Sequence, residues 1–189
     1  MAATPTFSHV VFMTRRFEEM KAWYISVFGA EIVHGDPAAA FLTYDDESHR
    51  FAIFNLDVMK PEASANSGHG EVGLNHIAYT YASAAELLET YARLKEQGLT
   101  PYWPVHHGFT LSFYYQDPDG NRIELQVESC NSKDAFDFMR SEAFANNPVG
   151  VEVDPDELLK RYRAGADEAD LIACPAGDQA PVPEAHGLA

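Results

Sequence analysis

Asn75-His76-Ile77-Ala78-Tyr79 repeats the pattern of Ser8-His9-Val10-Val11-Phe12 at an offset of 67 residues. In each copy a histidine enters an apolar run that reads as a strand, from Phe7 to Met13 in the first. A helix follows in both. The first runs from about Phe17 to Phe28, with Phe17, Met20, Tyr24 and Val27 at helical spacing and Gly29 as its stop. The second runs from Ala82 to about Gln97 and ends at Gly98. Ala30 to Gly35, Ala40 to Tyr44 and His49 to Leu56 then read as strands of the first copy. The second copy continues with Leu99 to Pro104 and a hairpin, Thr110 to Gln116 and Asn121 to Val127, joined by the turn Asp117-Pro118-Asp119-Gly120. The chain therefore holds two β-α-β-β-β units, about 6–57 and 74–127, and internal repetition of this kind decides the fold.

A four-stranded sheet with one helix leaves an open, concave face that one unit cannot bury. Pairing two units encloses that face as a cleft suited to a small molecule. The expected class is α+β, with two βαβββ modules paired into one open mixed-sheet barrel or cleft over residues 1–128. Residues 57–73 are rich in small and polar residues and read as a linker. Residues 129–165 read as a helical appendage that covers the barrel or mediates self-association into a homo-oligomer. One of its helices spans Ser132 to Phe144; another begins at Asp154 as N-cap with Pro155 in the first turn and ends at Gly165. From Ala166 onward there is no Lys or Arg but much Ala, Pro and Gly, so 166–189 is expected to be a flexible acidic tail or a segment laid over a surface.

Composition bounds the function. A 46% hydrophobic, 12% aromatic chain of 189 residues has material for a folded core. A net charge of −16 disfavours nucleic acid and anionic membrane as partners. Cys130 and Cys174 stand far apart without metal-type spacing and read as free thiols of a reducing compartment. No apolar run reaches transmembrane length and Met1 to Pro5 carries no signal pattern, so a cytoplasmic location is expected.

Chemistry concentrates on the hairpin and the two repeated histidines. Alternation puts Ser112, Tyr114 and Gln116 on one face of the hairpin with Arg122, Glu124 and Gln126, and Leu111, Phe113, Ile123 and Leu125 on the other. Taken alone, Glu124 reads most simply as part of a solvated face, and a single strand histidine as a satisfied core residue. Two histidines at repeat-equivalent positions, with a carboxylate on the matching sheet, change that balance. The counterpart of Glu124 in the first unit falls near Ile53 or Phe54, which bind no metal. His9, His76 and Glu124 are then three inward ligands, the two-imidazole, one-carboxylate set that suits non-haem Fe(II) with open positions.

The same residues carry a family resemblance. Val105-His106-His107, Phe113-Tyr114, Asp117-Pro118-Asp119-Gly120 and Glu124 fit, element by element, the signature of the type I extradiol ring-cleaving dioxygenases. The chain thus resembles the vicinal oxygen chelate superfamily, of glyoxalase/bleomycin resistance/dioxygenase fold. The resemblance covers about Phe7 to Glu128. It implies Fe(II) held by His9, His76 and Glu124, with Mn(II) as the alternative metal, and a catechol cleaved by O2 to a ring-opened semialdehyde or keto product. It further implies that Tyr114 and His107 flank the bound catechol and oxygen. His49, opening the last strand of the first unit, matches the family's acid–base histidine. Of the adjacent pair His106 and His107, which point to opposite faces, the signature spacing favours His107. Better-known members carry four such units where this chain has two. The rival readings are another metal enzyme of the superfamily (glyoxalase, epimerase or thiol transferase) and a metal-free protein that binds an aromatic drug.

Overall fold

Two short mixed sheets organise the chain, one from each repeat. The computed structural model describes residues 7, 9–46, 49–59, 61 and 76–186, so most of the stretch read as a linker lies outside the described residues. The chain divides into two compact units, 1–68 with the turn 117–120, and 69–116 with 121–189.

In the first unit β1 (Val10–Thr14) leads into α1 (Phe17–Phe28), followed by β2 (Glu31–Gly35), β3 (Ala39–Thr43), β4 (Phe51–Asn55) and a single helical turn, α2 (Leu56–Met59). The sheet order is β1-β4-β3-β2, with β1 and β4 parallel and the other pairs antiparallel. Helix α1 buries Phe17, Met20, Trp23, Tyr24 and Val27, the stripe its spacing predicts. It stops where Gly29 takes a left-handed φ of 63°, a conformation cheap only for glycine. Tyr24 packs against Phe12 and Phe51, which fills the space between helix and sheet. The edge strand β2 is exposed along its whole length and its register slips between Ile32 and His34. The strand expected from Phe7 begins only at Val10, so His9 sits just ahead of β1.

The second unit repeats the path: β5 (His76–Tyr81), α3 (Ala84–Glu96), β6 (Trp103–His106), β7 (Thr110–Gln116) and β8 (Arg122–Glu128). Its order, β5-β8-β7-β6, is that of the first sheet, extended at one edge by β9 (Val151–Glu152). Strands β7 and β8 are buried on both faces for most of their length, while β5 leaves Ala78 and Thr80 exposed. Phe113 and its neighbours meet α3 through Tyr91, ring centroids 5.7 Å apart. On the other face Trp103, Val105 and Tyr114 form a cluster with Ala180, against which Val149 and Val182 pack. Glu124 is accordingly only 5% exposed, so its reading as a solvated-face carboxylate fails. The cause lies outside the hairpin, in chain from beyond β8 that returns over this face.

Beyond β8 the helix expected over 132–144 divides into α4 (Ser132–Met139) and α5 (Glu142–Asn146). The break falls where the Ser141 hydroxyl accepts a hydrogen bond from the Phe144 amide and so caps a new helix. Helix α6 (Pro155–Arg163) starts as its sequence predicts, with the Asp154 carboxylate accepting from the Asp156 and Glu157 amides. It docks on α3, where the Tyr91 hydroxyl donates to Asp156 at 2.7 Å. A last turn, α7 (Glu168–Leu171), precedes an extended stretch whose Ala180 amide donates to the Gly150 carbonyl at 2.8 Å. Among the described residues no helix is long and apolar enough to cross a membrane.

Candidate active site

The parallel pair β5 and β8 places Ala78 opposite Glu124 and His76 opposite Arg122. From there the His76 imidazole and the Glu124 carboxylate converge, Nε2 to Oε2, at 3.1 Å. On the neighbouring antiparallel strand Tyr114 stands directly across from Glu124. Burial pushes the Glu124 carboxyl up. Hydrogen bonds from His76, Ser112 and Tyr114 outweigh that and hold it below its ordinary value. The site thus keeps an ionised carboxylate in a buried place. This donor set fits a divalent metal: two ligands at about 2.1 Å and a right angle stand roughly 3.0 Å apart, close to the separation seen. Among the described residues no trio of His, Cys, Asp and Glu gathers closely enough to hold a metal ion by itself. His76 and Glu124 supply two ligands.

Tyr114 is fixed from two sides. Its ring stacks on Trp103, centroids 5.2 Å apart, and meets His76 edge-on at 5.5 Å. Burial and the adjacent Glu124 carboxylate raise the phenol well above its ordinary value, so it remains a neutral donor. His107 approaches from the end of β6. Its Nδ1 lies 2.6 Å from the Val149 carbonyl and its Nε2 lies 3.1 Å from the Tyr114 hydroxyl. A carbonyl only accepts, so Nδ1 carries the proton. Burial lowers the His107 pKa, and in the neutral ring Nε2 is an acceptor toward Tyr114. The single phenol proton therefore has two acceptors in reach, Glu124 and His107.

His106 points the other way. Its Nε2 meets the Ile172 carbonyl at 2.8 Å and the Ser129 hydroxyl at 3.0 Å, while Nδ1 accepts from the Gly108 amide. Those partners tie chain segments together, and only His107 of the pair meets Tyr114.

In the first unit His9 and His49 stand together, ring centroids 4.3 Å apart, each just ahead of one of the parallel strands β1 and β4. His49 also meets Phe41 edge-on at 5.2 Å. The registers correct one expectation. Val11 pairs with Ala52 as Ala78 pairs with Glu124, so the counterpart of Glu124 is Ala52, not Ile53 or Phe54. Phe41, across from Ala52, corresponds likewise to Tyr114.

One residue beside Tyr114 and His76 escapes sequence reasoning. His186, in a short 3-10 turn at Glu184–His186, has Nδ1 3.0 Å from the Tyr102 hydroxyl, and its ring lies 4.9 Å from Tyr114 and 5.9 Å from His76. It belongs to a Pro- and Ala-rich stretch without periodicity, which gives no signal of a site.

Residues 6–125 match the Glyoxalase/Bleomycin resistance protein/Dioxygenase superfamily. The chain belongs to this superfamily. Two curated relatives come from Rhodococcus globerulus. Biphenyl-2,3-diol 1,2-dioxygenase 2 is 41% identical over 166 residues, 87% of this chain and 85% of the relative. Biphenyl-2,3-diol 1,2-dioxygenase 3 is 38% identical over 173 residues, 90% of this chain and 89% of the relative. Among solved structures, lactoylglutathione lyase from Agrobacterium tumefaciens aligns over 67% of this chain and 96% of its own, with a TM-score of 0.53 and 22% identity. The fosfomycin resistance protein FosX from Listeria monocytogenes aligns over 70% and 98%, with a TM-score of 0.51 and 20% identity. These two show the fold alone. The resemblance to the vicinal oxygen chelate superfamily and its extradiol branch is borne out by the family match and the two dioxygenase relatives. The coverage of both relatives shows that they share this chain's compact size.

Proposed function

We propose that this superfamily member is an extradiol dioxygenase that opens a catechol-type aromatic ring with O2, giving a semialdehyde or keto product and using Fe(II), with Mn(II) as the alternative metal. The observation that carries the reading is the His76–Glu124 pair: a buried, ionised carboxylate and an imidazole converging at 3.1 Å, beside the Tyr114 hydroxyl. His9, repeat-equivalent to His76, is the third ligand of this proposal. Ala52, where Glu124 has its counterpart, offers no further ligand, which favours a three-residue set over a four-ligand glyoxalase-type site. The two dioxygenase relatives support an aromatic diol and O2 as substrates.

When bound, the metal supplies chelation of both diol oxygens, which favours their ionisation, and brings them together with dioxygen. The protein's own groups handle protons. His49 takes the proton of the second hydroxyl and returns it later, a task that suits imidazole near neutral pH. Tyr114, neutral and hydrogen-bonded, donates toward oxygen as negative charge develops there. His107, its Nδ1 proton committed to Val149, offers Nε2 as a resting acceptor for the one phenol proton, which Tyr114 turns toward oxygen when charge develops there. Trp103 stacks on Tyr114 and excludes water from that side.

The test is anaerobic purification followed by a ferrozine assay for iron, then a screen of catechols under oxygen for a yellow ring-fission product. About one iron per chain and a yellow product are expected. Protein that folds, takes up neither Fe(II) nor Mn(II), and cleaves no catechol would sink the reading.

A further inference from the structure

The chain beyond α6 returns to the face of the second sheet that carries Glu124 and Tyr114. Ala180 is buried in the cluster of Trp103, Val105 and Tyr114, and Val182 packs against it. The backbone is pinned twice nearby: the Ala180 amide donates to the Gly150 carbonyl, and the Arg122 Nε donates to the Ala185 carbonyl at 2.6 Å. Gly150 itself packs tightly on the end of β6. Its φ is +104°, and a Cβ there would come within 2.2 Å of the His106 carbonyl oxygen. A segment rich in Pro, Ala and Gly has little drive of its own to order. Its seat is therefore defined by these specific contacts.

The contacts deliver one side chain to the site. His186 is 4% exposed, and its ring lies 4.6 Å from Trp103 and 4.9 Å from Tyr114, edge-on to the latter. Tyr102 holds its Nδ1. Both anchors adjoin the chemistry: Arg122 lies two residues before Glu124 on β8, and Tyr102 directly precedes Trp103. Tyr102 and Arg122 thus fix the ring beside Tyr114, with its centroid 5.9 Å from that of His76.

We infer that His186 is a specificity-determining residue, which with Trp103 and Tyr102 forms an aromatic wall that receives the ring substituent of the diol. This rests on the dioxygenase reading given above. Rings that meet edge-to-face or offset gain from their quadrupoles as well as from buried area, and the gain depends on their position. The wall joins Trp103 of β6 and the preceding Tyr102 to one residue brought in by the C-terminal segment, so the seating of that segment tunes how bulky a substituent is accepted.

The experiment compares iron-loaded wild type with His186→Ala and His186→Phe on catechol and 3-phenylcatechol. The expected result for His186→Ala is full iron content, a KM for 3-phenylcatechol raised about tenfold relative to that for catechol, and kcat changed less than about twofold. His186→Phe, which keeps a ring, should restore most of the discrimination. Anaerobic titration of tryptophan fluorescence with the two diols should show the same difference in binding without turnover. An unchanged preference between the diols in His186→Ala would overturn the inference and leave the dioxygenase reading standing. So would a His186→Phe protein indistinguishable from His186→Ala, because the position would then be merely structural. Should His186→Ala not fold, His186→Leu against His186→Phe carries the same comparison. A wild-type protein that takes up neither Fe(II) nor Mn(II) and cleaves no catechol removes the dioxygenase reading, and this inference with it.

Discussion

The two sheets of this protein follow one path, β1-β4-β3-β2 and β5-β8-β7-β6, yet one is polar where the other is apolar. Tyr114, Ser112 and Glu124 in the second sheet correspond by register to Phe41, Ala39 and Ala52 in the first. The whole group changes together. A carboxylate buried alone is costly, and it becomes tolerable only with donors around it. Glu124 has three, from His76, Ser112 and Tyr114, and the equivalent corner of the first sheet has neither the acid nor the hydroxyls. The repeat thus teaches that a buried ligand is inherited as a network or not at all. What both copies keep is the histidine at the head of the first strand.

The largest effect expected from breaking this contrast is at Glu124. Glu124→Ala should abolish iron binding and with it all turnover, while the sheet persists. Stoichiometric iron after anaerobic purification would remove Glu124 from the site. His49, from the apolar unit, tests whether that copy contributes chemistry as well. His49→Ala should keep its iron and still bind catechol, but lose roughly 10²–10⁴-fold in turnover. The loss should be partly relieved at higher pH, where more of the bound diol gives up its second proton unaided. Iron loss in this variant would make His49 a ligand; near-normal turnover would make it a strand-edge residue.

The contrast can also be run backwards. Ala52 is 1% exposed, so Ala52→Glu buries a carboxylate beside Phe41 without the two hydroxyl donors that Glu124 has. A destabilisation of about 3 kcal/mol or more is expected from urea unfolding. Adding Phe41→Tyr should recover part of it, and a neutral Ala52→Glu would contradict the network argument. The smallest effect concerns the helices. Ser83 caps α3 by accepting from the Glu86 amide, whereas Arg16 gives α1 no side-chain cap. Ser83→Ala should cost about 1 kcal/mol, read from the same unfolding curves.

The repeat was legible because its signals are local. Helix α1 falls where Phe17, Met20, Tyr24 and Val27 predict, and β7 covers the predicted Thr110 to Gln116. The Pro-Asp-Gly turn places the return strand within a residue of expectation. Boundaries drifted where apolar runs give no stop signal: β1 begins at Val10 rather than Phe7, and β6 at Trp103 rather than Leu99. The counterpart of Glu124 was misplaced by one or two residues, because strand register is set by pairing across the sheet and not by spacing along the chain. Burial of the hairpin's polar face could not be read either. Alternation looks the same whether water or a later segment covers the polar side, and that segment, near Ala180 and His186, has no periodic pattern to betray it.

The Tyr102–His186 contact joins residues 84 positions apart, and the parallel pairing of β5 with β8 spans 46. Contacts of such long sequence separation form late, since loop-closure entropy must be met before they stabilise anything. The sheet has to exist before the returning segment has a surface to land on. Assembly is therefore ordered, with the substrate wall last. In refolding from urea, far-UV circular dichroism should recover ahead of catalytic competence, with the lag set by the docking of residues 180–186.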